Sequence, residues 1–551
     1  MKKILIILLL FFVVGCTGNN NKNVSPDAIT IINELDKNEV IIEGQALKLI
    51  AIVTPSNAPQ DVIWSSSDEQ IATVNENGEV TGLKEGSVTI IAKTKDFEVY
   101  DMIDLIVYND VRNLKTIEGI IEYLDTIIPS IAGETLPFEY RIEGARLSWS
   151  TSDENIITRT GRVNPSNVDK VITVVCKIDL GRVSGEFTKE VMVKKYNLRD
   201  ISNKKLAFTY LYDYSGSYKG FREGDLEKID VINYAFGGIS AGKVVVSTSS
   251  KLLDITAEAH KHGVRVVLAV GGWGVDGFSD AALTAASRKV FIDSLLVAID
   301  KYSLNGIDFD WEYPTSTAGG LIKARPEDKV NFTYLVQETY TALKAKDPSL
   351  TLSIAVPNGS WAASNYYEPA KLNNYIDYLH LMSYDMINYA SSTNKIVQSS
   401  HHTNMYSSTN SVSSAENGVK AYSDLGISKS KIVIGVAFYG HGFKVSNAGN
   451  NGMKANTDTS ISGNKFTVSY NDIVDKYLSD SKYQVFYDEQ AKAHWLYGDN
   501  TVISYDSPES IAVKAEYAIN NNLCGLMVWQ YNQDHKTSIL TNAIYDNLNK
   551  K

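Results

Sequence analysis

The chain has 551 residues, 44% of them apolar, and a formal net charge of −11 from 53 Lys and Arg against 64 Asp and Glu. That length holds several domains, and that apolar fraction excludes a disordered chain. No basic excess is present to track a phosphate backbone, so nucleic acid is not an expected partner.

At the N-terminus Lys2 and Lys3 precede the apolar run Ile4 to Val14. The run is too short to cross a bilayer as a helix and reads as a signal peptide over residues 1–15. Its end, Val13-Val14-Gly15-Cys16, resembles a bacterial lipobox. The resemblance implies that Cys16 is lipidated and that residues 16–25 tether the protein to a membrane. The alternative is a plain signal peptide with an incidental Cys. The other two cysteines, Cys176 and Cys524, fall in different predicted domains and in apolar runs, where a free Cys acts as a small hydrophobe.

Residues 26–110 read as short alternating strands between turn signals, such as Ala46 to Val53, Asp61 to Trp64 and Ser87 to Ala92, with turns at Asn77-Gly78 and Glu85-Gly86. The pattern predicts a β-sandwich of immunoglobulin size. Trp64-Ser-Ser-Ser-Asp-Glu-Gln-Ile71 and Asn77-Gly-Glu-Val-Thr-Gly82 resemble a bacterial Ig-like domain of group two. Roughly 85 residues later Trp149-Ser-Thr-Ser-Asp-Glu-Asn-Ile156 and Gly161-Arg-Val163 echo them, which predicts a second, divergent sandwich over 111–198 with a helix-like start at Val111 to Ile128. Neither carries a catalytic constellation. Spacers are the expected role, and carbohydrate or protein binding the alternative.

From Lys204 the pattern changes to short apolar strands alternating with helical stretches. The strands are expected at Leu206–Leu211, Val231–Phe236, Val264–Val270, Gly306–Trp311, Leu350–Val356, Ile376–Met382, Lys431–Ala437 and Leu523–Trp529. Helical periods such as Ser287 to Tyr302 and Val330 to Lys346 lie between them. This is the pattern of a (β/α)8 barrel over 203–551. The stretch between the last two strands is too long for one helix, and an insertion is expected at about 442–500.

Within the fourth strand Asp308, Asp310 and Glu312 alternate with Ile307, Phe309 and Trp311, so the three acids share one strand face. Like charges crowded on a buried face are costly unless used, and crowding raises the pKa of one of them, which makes an acid catalyst. A solvated hairpin edge is the duller reading, opposed by the apolar alternation and by Pro314. An acidic metal site is opposed by the lack of a following His at ligand spacing. The eight His residues suggest no metal site, the one adjacent pair being His401-His402. The run Leu304-Asn-Gly-Ile-Asp-Phe-Asp-Trp-Glu-Tyr-Pro314 resembles the DGxDxDxE signature of the family-eighteen glycoside hydrolases, in the form found in its chitinase branch.

The resemblance implies that Glu312 is the general acid, that Asp310 orients the substrate's N-acetyl group, and that Asp308 lies deeper. It implies a retaining mechanism in which that group is the nucleophile. Met382-Ser-Tyr-Asp385 is similar to the family's MxYD segment. Tyr384 is then expected to donate to the reacting acetamido oxygen, Asp385 to bind sugar hydroxyls and Met382 to line the pocket. Trp529 resembles the floor of the reacting sugar's site, with a barrel-core aromatic as the alternative. Trp273 after Gly271-Gly272 resembles an aglycone platform, and Phe236, Tyr313 and Tyr439 are expected to line the cleft. Tyr210 is expected to face the acids. The insertion resembles the small α+β insertion that walls the cleft in many chitinases, against an ordinary surface insertion.

Three departures stand out: Asn305 replaces the first Asp of the signature, Ala269 the Ser of an SxGG segment, and His441 an Arg. The first is expected to cost little. The second is expected to leave Asp308 less well held, and the third puts polar contacts near the cleft in doubt. The implied protein is an exported, lipid-anchored, cofactor-free glycosidase acting on chitin or another β-1,4-N-acetylglucosamine polymer. An endo-β-N-acetylglucosaminidase on glycoprotein glycans and a sugar-binding surface adhesin are the alternatives.

Overall fold

The computed structural model describes residues 25–550 apart from the stretches 34–38, 42–45, 96–98, 109–113, 115, 143, 167, 214–217, 248, 390–395 and 446–448. The expected leader, Cys16 and most of the expected tether lie outside the described residues. No helix among the described residues is long and apolar enough to cross a membrane. The chain divides into two units, Met1–Arg162 with Val171–Met192, and Val163–Lys170 with Val193–Lys551.

In the first unit, Ala28–Asn33, Leu47–Thr54, Glu79–Gly82 and Ala72–Val74 form one sheet in that order. Glu39–Ile41, Tyr100–Tyr108, Gly86–Thr94 and Val62–Ser66 form another. Alternate residues turn inward, so Leu47, Leu49 and Val80 of one sheet share a core with Val88, Ile90, Leu105 and Val107 of the other. The repeat seen in the sequence has a common local geometry. Leu49 N donates to Gly78 O at 2.8 Å, and Leu136 N donates to Gly161 O at 2.7 Å. Both glycines have positive φ, and an added Cβ would strike the carbonyl oxygen of Leu49 or Leu136.

The second repeat differs from the expected two-sheet sandwich. Its described residues form one sheet, ordered Ser184–Val193, Lys170–Asp179, Ala145–Thr151 and Arg141–Ile142. A helix, Ile117–Ile127, lies against the strand Ser184–Val193. Ile117 closes over Gly185, and Lys189 Nζ donates to Asp125 O at 2.7 Å. The helix buries Ile120, Tyr123 and Leu124. Trp149 stacks on Phe138 at 4.2 Å.

In the second unit eight parallel strands close into a barrel: β1 Leu206–Tyr212, β2 Val231–Ser240, β3 Arg265–Gly271, β4 Gly306–Asp310, β5 Thr351–Pro357, β6 Tyr378–Met382, β7 Ile432–Ala437 and β8 Gly525–Trp529. Each pairs with the next, and β1 pairs with both β2 and β8. The strands match the expected ones to within two residues except β2, which runs on into a hairpin with Lys243–Val245. They are apolar on both faces because both are covered. Phe208, Tyr210, Val267, Ala269 and Met527 fill the barrel interior, while Leu211, Leu268, Ile307 and Phe309 pack outward under the helices.

The β7–β8 crossover carries a five-stranded antiparallel sheet ordered Lys465–Ser469, Tyr439–Lys444, Thr501–Tyr505, Ala493–Gly498 and Gln484–Asp488. It starts at Tyr439, directly after β7, a little earlier than expected. Phe443, Met453, Trp495 and Val502 form its own small core.

Candidate active site

Strand alternation carries Asp308 and Asp310 into the barrel, and Glu312 stands two residues beyond the end of β4, at the mouth. Asp308 is fully buried. Ser353 Oγ from β5 donates to its Oδ1 at 2.6 Å, and the Tyr210 hydroxyl from β1 donates to its Oδ2 at 2.7 Å. His380 from β6 stands 3.6 Å from Oδ1 and 2.9 Å from the Tyr210 hydroxyl. Asn233 from β2 lies 3.1 Å from the same ring nitrogen. Burial pushes His380 below its usual value, against the pull of Asp308.

This corrects the expectation that Asp308 is loosely held. Ala269 is paired with Asp308 in the β3–β4 register, but the opposite neighbour in the β4–β5 register is Ser353, which supplies the hydroxyl instead. Asn305 also has a clear place. Its side chain accepts from Val266 N at 2.8 Å, lies 2.9 Å from His260 Nε2, and donates to the Tyr196 hydroxyl at 2.9 Å. It ties the start of β4 to its surroundings, away from the acids.

Burial raises Asp310 well above the usual carboxylate range, with Glu312 and Asp308 adding to the rise. Its Oδ1 is buried without a hydrogen-bond partner. Glu312 is pushed up to about 7. Burial is the main cause and the charge of Asp385 adds to it, while a hydrogen bond with Tyr313 works against it. Asp310 and Glu312 are thus both raised, and a raised carboxyl that keeps its proton longer is what a proton donor needs.

Around them the mouth is lined by tyrosines and aromatic rings. Tyr384 follows β6, and its hydroxyl lies 3.8 Å from Met527 Sδ. Burial first, then the charges of Asp310 and Asp385, hold that hydroxyl protonated. Trp529, ending β8, stands 5.6 Å from Phe236 with rings 23° apart, 5.8 Å from Tyr210 and 5.7 Å from Tyr212. Met382 ends β6 and is partly buried against the same interior cluster. Trp273 and Tyr313, across the mouth, are 6.3 Å apart.

Asp385 has φ of 57°, and its side chain, more than half exposed, reaches the insertion. Tyr439 and His441 alternate on the insertion's first strand, so both reach it. The Tyr439 hydroxyl donates to Oδ1 at 2.7 Å, and His441 Nε2 lies 2.6 Å from the same oxygen. Burial alone would raise Asp385. The His441 hydrogen bond, the charges of His441 and His402, and the Tyr439 hydroxyl hold it instead at about 2. His441 therefore supplies a polar contact at the position that the sequence left in doubt.

The sequence reading missed Ser353, His380 and His402. His380 alternates with Tyr378 and Met382 in β6, which would have placed it inside the barrel. His402 carries no such signal, because only the fold brings it to 4.0 Å from Asp385. Asp385, His402 and His441 are the group among the described residues whose donor atoms could converge on a metal ion, all within 4.8 Å. Asp385 and His441 sit at hydrogen-bond distance, closer than the roughly 3.3 Å that separates two ligands of one tetrahedral ion. The pair is accounted for by a hydrogen bond.

The profile of the Glycosyl hydrolases family 18 matches residues 208–534, which span the barrel and its insertion. The chain belongs to that family. The profile of the Bacterial Ig-like domain (group 2) matches residues 30–101. The chain is 31% identical over 296 residues to chitinase A1 of Niallia circulans, which covers 50% of this chain and 41% of that protein. A family 18 N-acetylglucosaminidase of Paenibacillus barengoltzii has a solved structure similar to 62% of this chain and 100% of its own, at TM-score 0.57 and 31% identity. The cell-surface-expressed multi-modular chitinase ChiW of Paenibacillus sp. str. FPU-7 is similar over 90% of this chain and 41% of its own, at TM-score 0.58 and 27% identity. The chain spans 41 to 60% of the length of the first curated relatives that it matches.

Proposed function

We propose that the barrel hydrolyses β-1,4 linkages between N-acetylglucosamine residues, with retention of configuration, and that the substrate's own N-acetyl group is the nucleophile. The observation that carries this is the run of buried Asp308 and Asp310 leading to Glu312 at the barrel mouth, with Tyr384 and Trp529 on neighbouring strand ends. Glu312, at about 7, has a proton to give and a conjugate base that can take one back. It protonates the glycosidic oxygen as the bond to the anomeric carbon breaks. The acetamido oxygen attacks that carbon, and a cyclic oxazolinium ion replaces a covalent enzyme ester, so no second nucleophilic carboxylate is needed.

Asp310, with its unpartnered buried oxygen, receives the acetamido N–H and balances the positive charge. The Tyr384 hydroxyl donates to the acetamido oxygen as charge builds on it. Water, deprotonated by Glu312, then opens the ring from the face the leaving group left. Asp385 accepts from sugar hydroxyls, and Trp529 and Phe236 offer apolar faces to the ring.

The relatives named chitinase and the family 18 N-acetylglucosaminidase support a substrate of this class and leave two modes of action. One cuts within a polymer and the other releases single sugars. The size of the products from chitin oligomers of defined length separates the two. Binding without turnover would overturn both in favour of a sugar-binding adhesin. We further propose that residues 1–15 are a signal peptide, that Cys16 carries a lipid, that residues 16–25 are a tether, and that the domains at 26–110 and 111–198 space the barrel at 203–551 from a membrane. Lipidation is tested by fatty-acid labelling of wild type and Cys16→Ser, with label expected on the wild type alone.

A further inference from the structure

The polar chain below the acids continues past the groups that the reaction uses. His380 of β6 is fully buried in the barrel. Its Nδ1 lies 2.9 Å from the Tyr210 hydroxyl, 3.1 Å from Asn233 Nδ2 and 3.6 Å from Asp308 Oδ1. Its Nε2 is buried without a hydrogen-bond partner, and so is Asn233 Oδ1. Burial pushes the ring below its usual value, and Asp308 is the charge that works against it. The imidazole is therefore neutral and carries one proton, on Nδ1 or on Nε2.

Nε2 is unpaired either way, so the choice falls at Nδ1. Asp308 accepts from Ser353 at Oδ1 and from Tyr210 at Oδ2. A Tyr210 hydroxyl whose proton points at Asp308 offers Nδ1 only its lone pairs, so Nδ1 has to bring the proton. Turning the Asn233 amide over then presents Oδ1 to the same N–H, and the orphaned oxygen gains a partner. A proton on Nε2 would instead make Nδ1 compete with Asp308 for the Tyr210 proton and leave Asn233 Oδ1 unpaired.

We propose that His380 is a positioning residue: its Nδ1 proton goes to the Tyr210 oxygen, which turns the Tyr210 proton onto Asp308 and holds negative charge there, beside Asp310. Consecutive donors polarise one another, so His380 strengthens the bond that Tyr210 makes. The charge of Asp308 is one of the causes that raise Asp310, so His380 reaches Asp310 through two hydrogen bonds without touching substrate. The other titratable groups of the interior stay neutral. Burial raises Tyr384, Tyr439, Tyr378 and Cys524, the last to about 12. β3, β7 and β8 bring Val267, Ala269, Val433 and Met527 to that interior, none of which titrates.

The first test is NMR of the whole chain labelled with isotopic nitrogen in histidine, the His380 signals being those lost in His380→Asn. The ring-nitrogen shifts are expected to show the proton on Nδ1, and a proton on Nε2 overturns the proposal. The second test is the pH profile. In the proposed reaction Asp310 balances a positive charge and must be ionised, which gives kcat/KM on chitin oligomers an acid limb. His380→Phe keeps a ring and removes the donor. Weaker charge on Asp308 repels an ionised Asp310 less, so the limb is expected to move to lower pH by about half a unit or more. His380→Asn places an N–H where Nδ1 stood and is expected to return the limb toward wild type. Loss of turnover or stability with an unmoved limb, or the same shift in both variants, is what a merely structural histidine gives and overturns the proposal. The kinetic arm rests on the proposed reaction, and the NMR arm does not. A proton on Nδ1 in a protein that cleaves no chitin oligomer keeps the positioning role and overturns the reaction, and cleavage with the proton on Nε2 does the reverse.

Discussion

In the proposed reaction Glu312 acts with a proton on it, and burial pushes its carboxyl up to about 7. A raised carboxyl is protonated below that value and ionised above it, so kcat/KM should fall as pH rises through about 7. A rate that stays flat to pH 9 would remove Glu312 from the role of acid. Glu312→Gln keeps the shape but has no proton to give, and should lose about 10²–10⁴-fold in kcat while still binding oligosaccharide. Oligomer turnover and calorimetry on the same sample check both halves. Tyr384→Phe should lower kcat more than it weakens binding, because its hydroxyl matters most once charge has built on the acetamido group. A change confined to KM would count against that role. At this scale the acids were legible from alternation alone, since a strand that buries Ile307 and Phe309 outward must turn Asp308 and Asp310 inward. The partner of Asp308 was not, because the register that sets Ser353 rather than Ala269 beside it as the donor depends on which strand lies on each side. His402 was hidden for the same reason, being brought to Asp385 only by the fold.

The elements most exposed to this ambiguity are those without a period. The barrel strands and long helices were readable because their apolar faces recur, and Asp328–Lys346 was expected from Val330 onward. The helix Ile117–Ile127 was noticed only as a helix-like start, because the repeat of Trp64 and Gly78 at Trp149 and Gly161 pointed to a second complete sandwich. The repeat is real in the shared Leu–Gly hydrogen bond, yet a helix lies against the strand Ser184–Val193. The insertion meets the loop after β6 through the pairing of Ile396–Gln398 with Asn456–Asp458 and through one carboxylate that gathers three of the loop's side chains. Asp488 Oδ2 accepts from Ser408 Oγ and Asn410 Nδ2, each at 2.9 Å, and lies 3.2 Å from His401 Nε2. This explains the His401-His402 pair, in which one ring ties down the loop and the other faces Asp385. Asp488→Ala should cost about 1–3 kcal/mol by leaving those buried donors unpaired. Denaturant unfolding that shows less than about 0.5 kcal/mol would mean that the loop is held by something else.

At the scale of the whole molecule, the residues of the candidate site all lie in the second unit. A protein beginning near residue 193 should keep most of its turnover on soluble chitin oligomers, and a large loss of kcat would mean that the first unit takes part in the reaction itself. The family was legible from the run around Asp308 to Glu312, because that run combines a strand period with a chemical demand. The proposed leader and the proposed spacer role carry no such chemistry, and both readings rest on composition and position. The central claim is that the substrate's acetamido group attacks and that water then attacks the same carbon. Two displacements at one centre keep its configuration, so proton NMR of fresh product from a β-linked chitin oligomer should show the β-anomer first, before mutarotation. An α-anomer as the first product would mean a single displacement, and the roles given to Asp310 and Tyr384 would both fall.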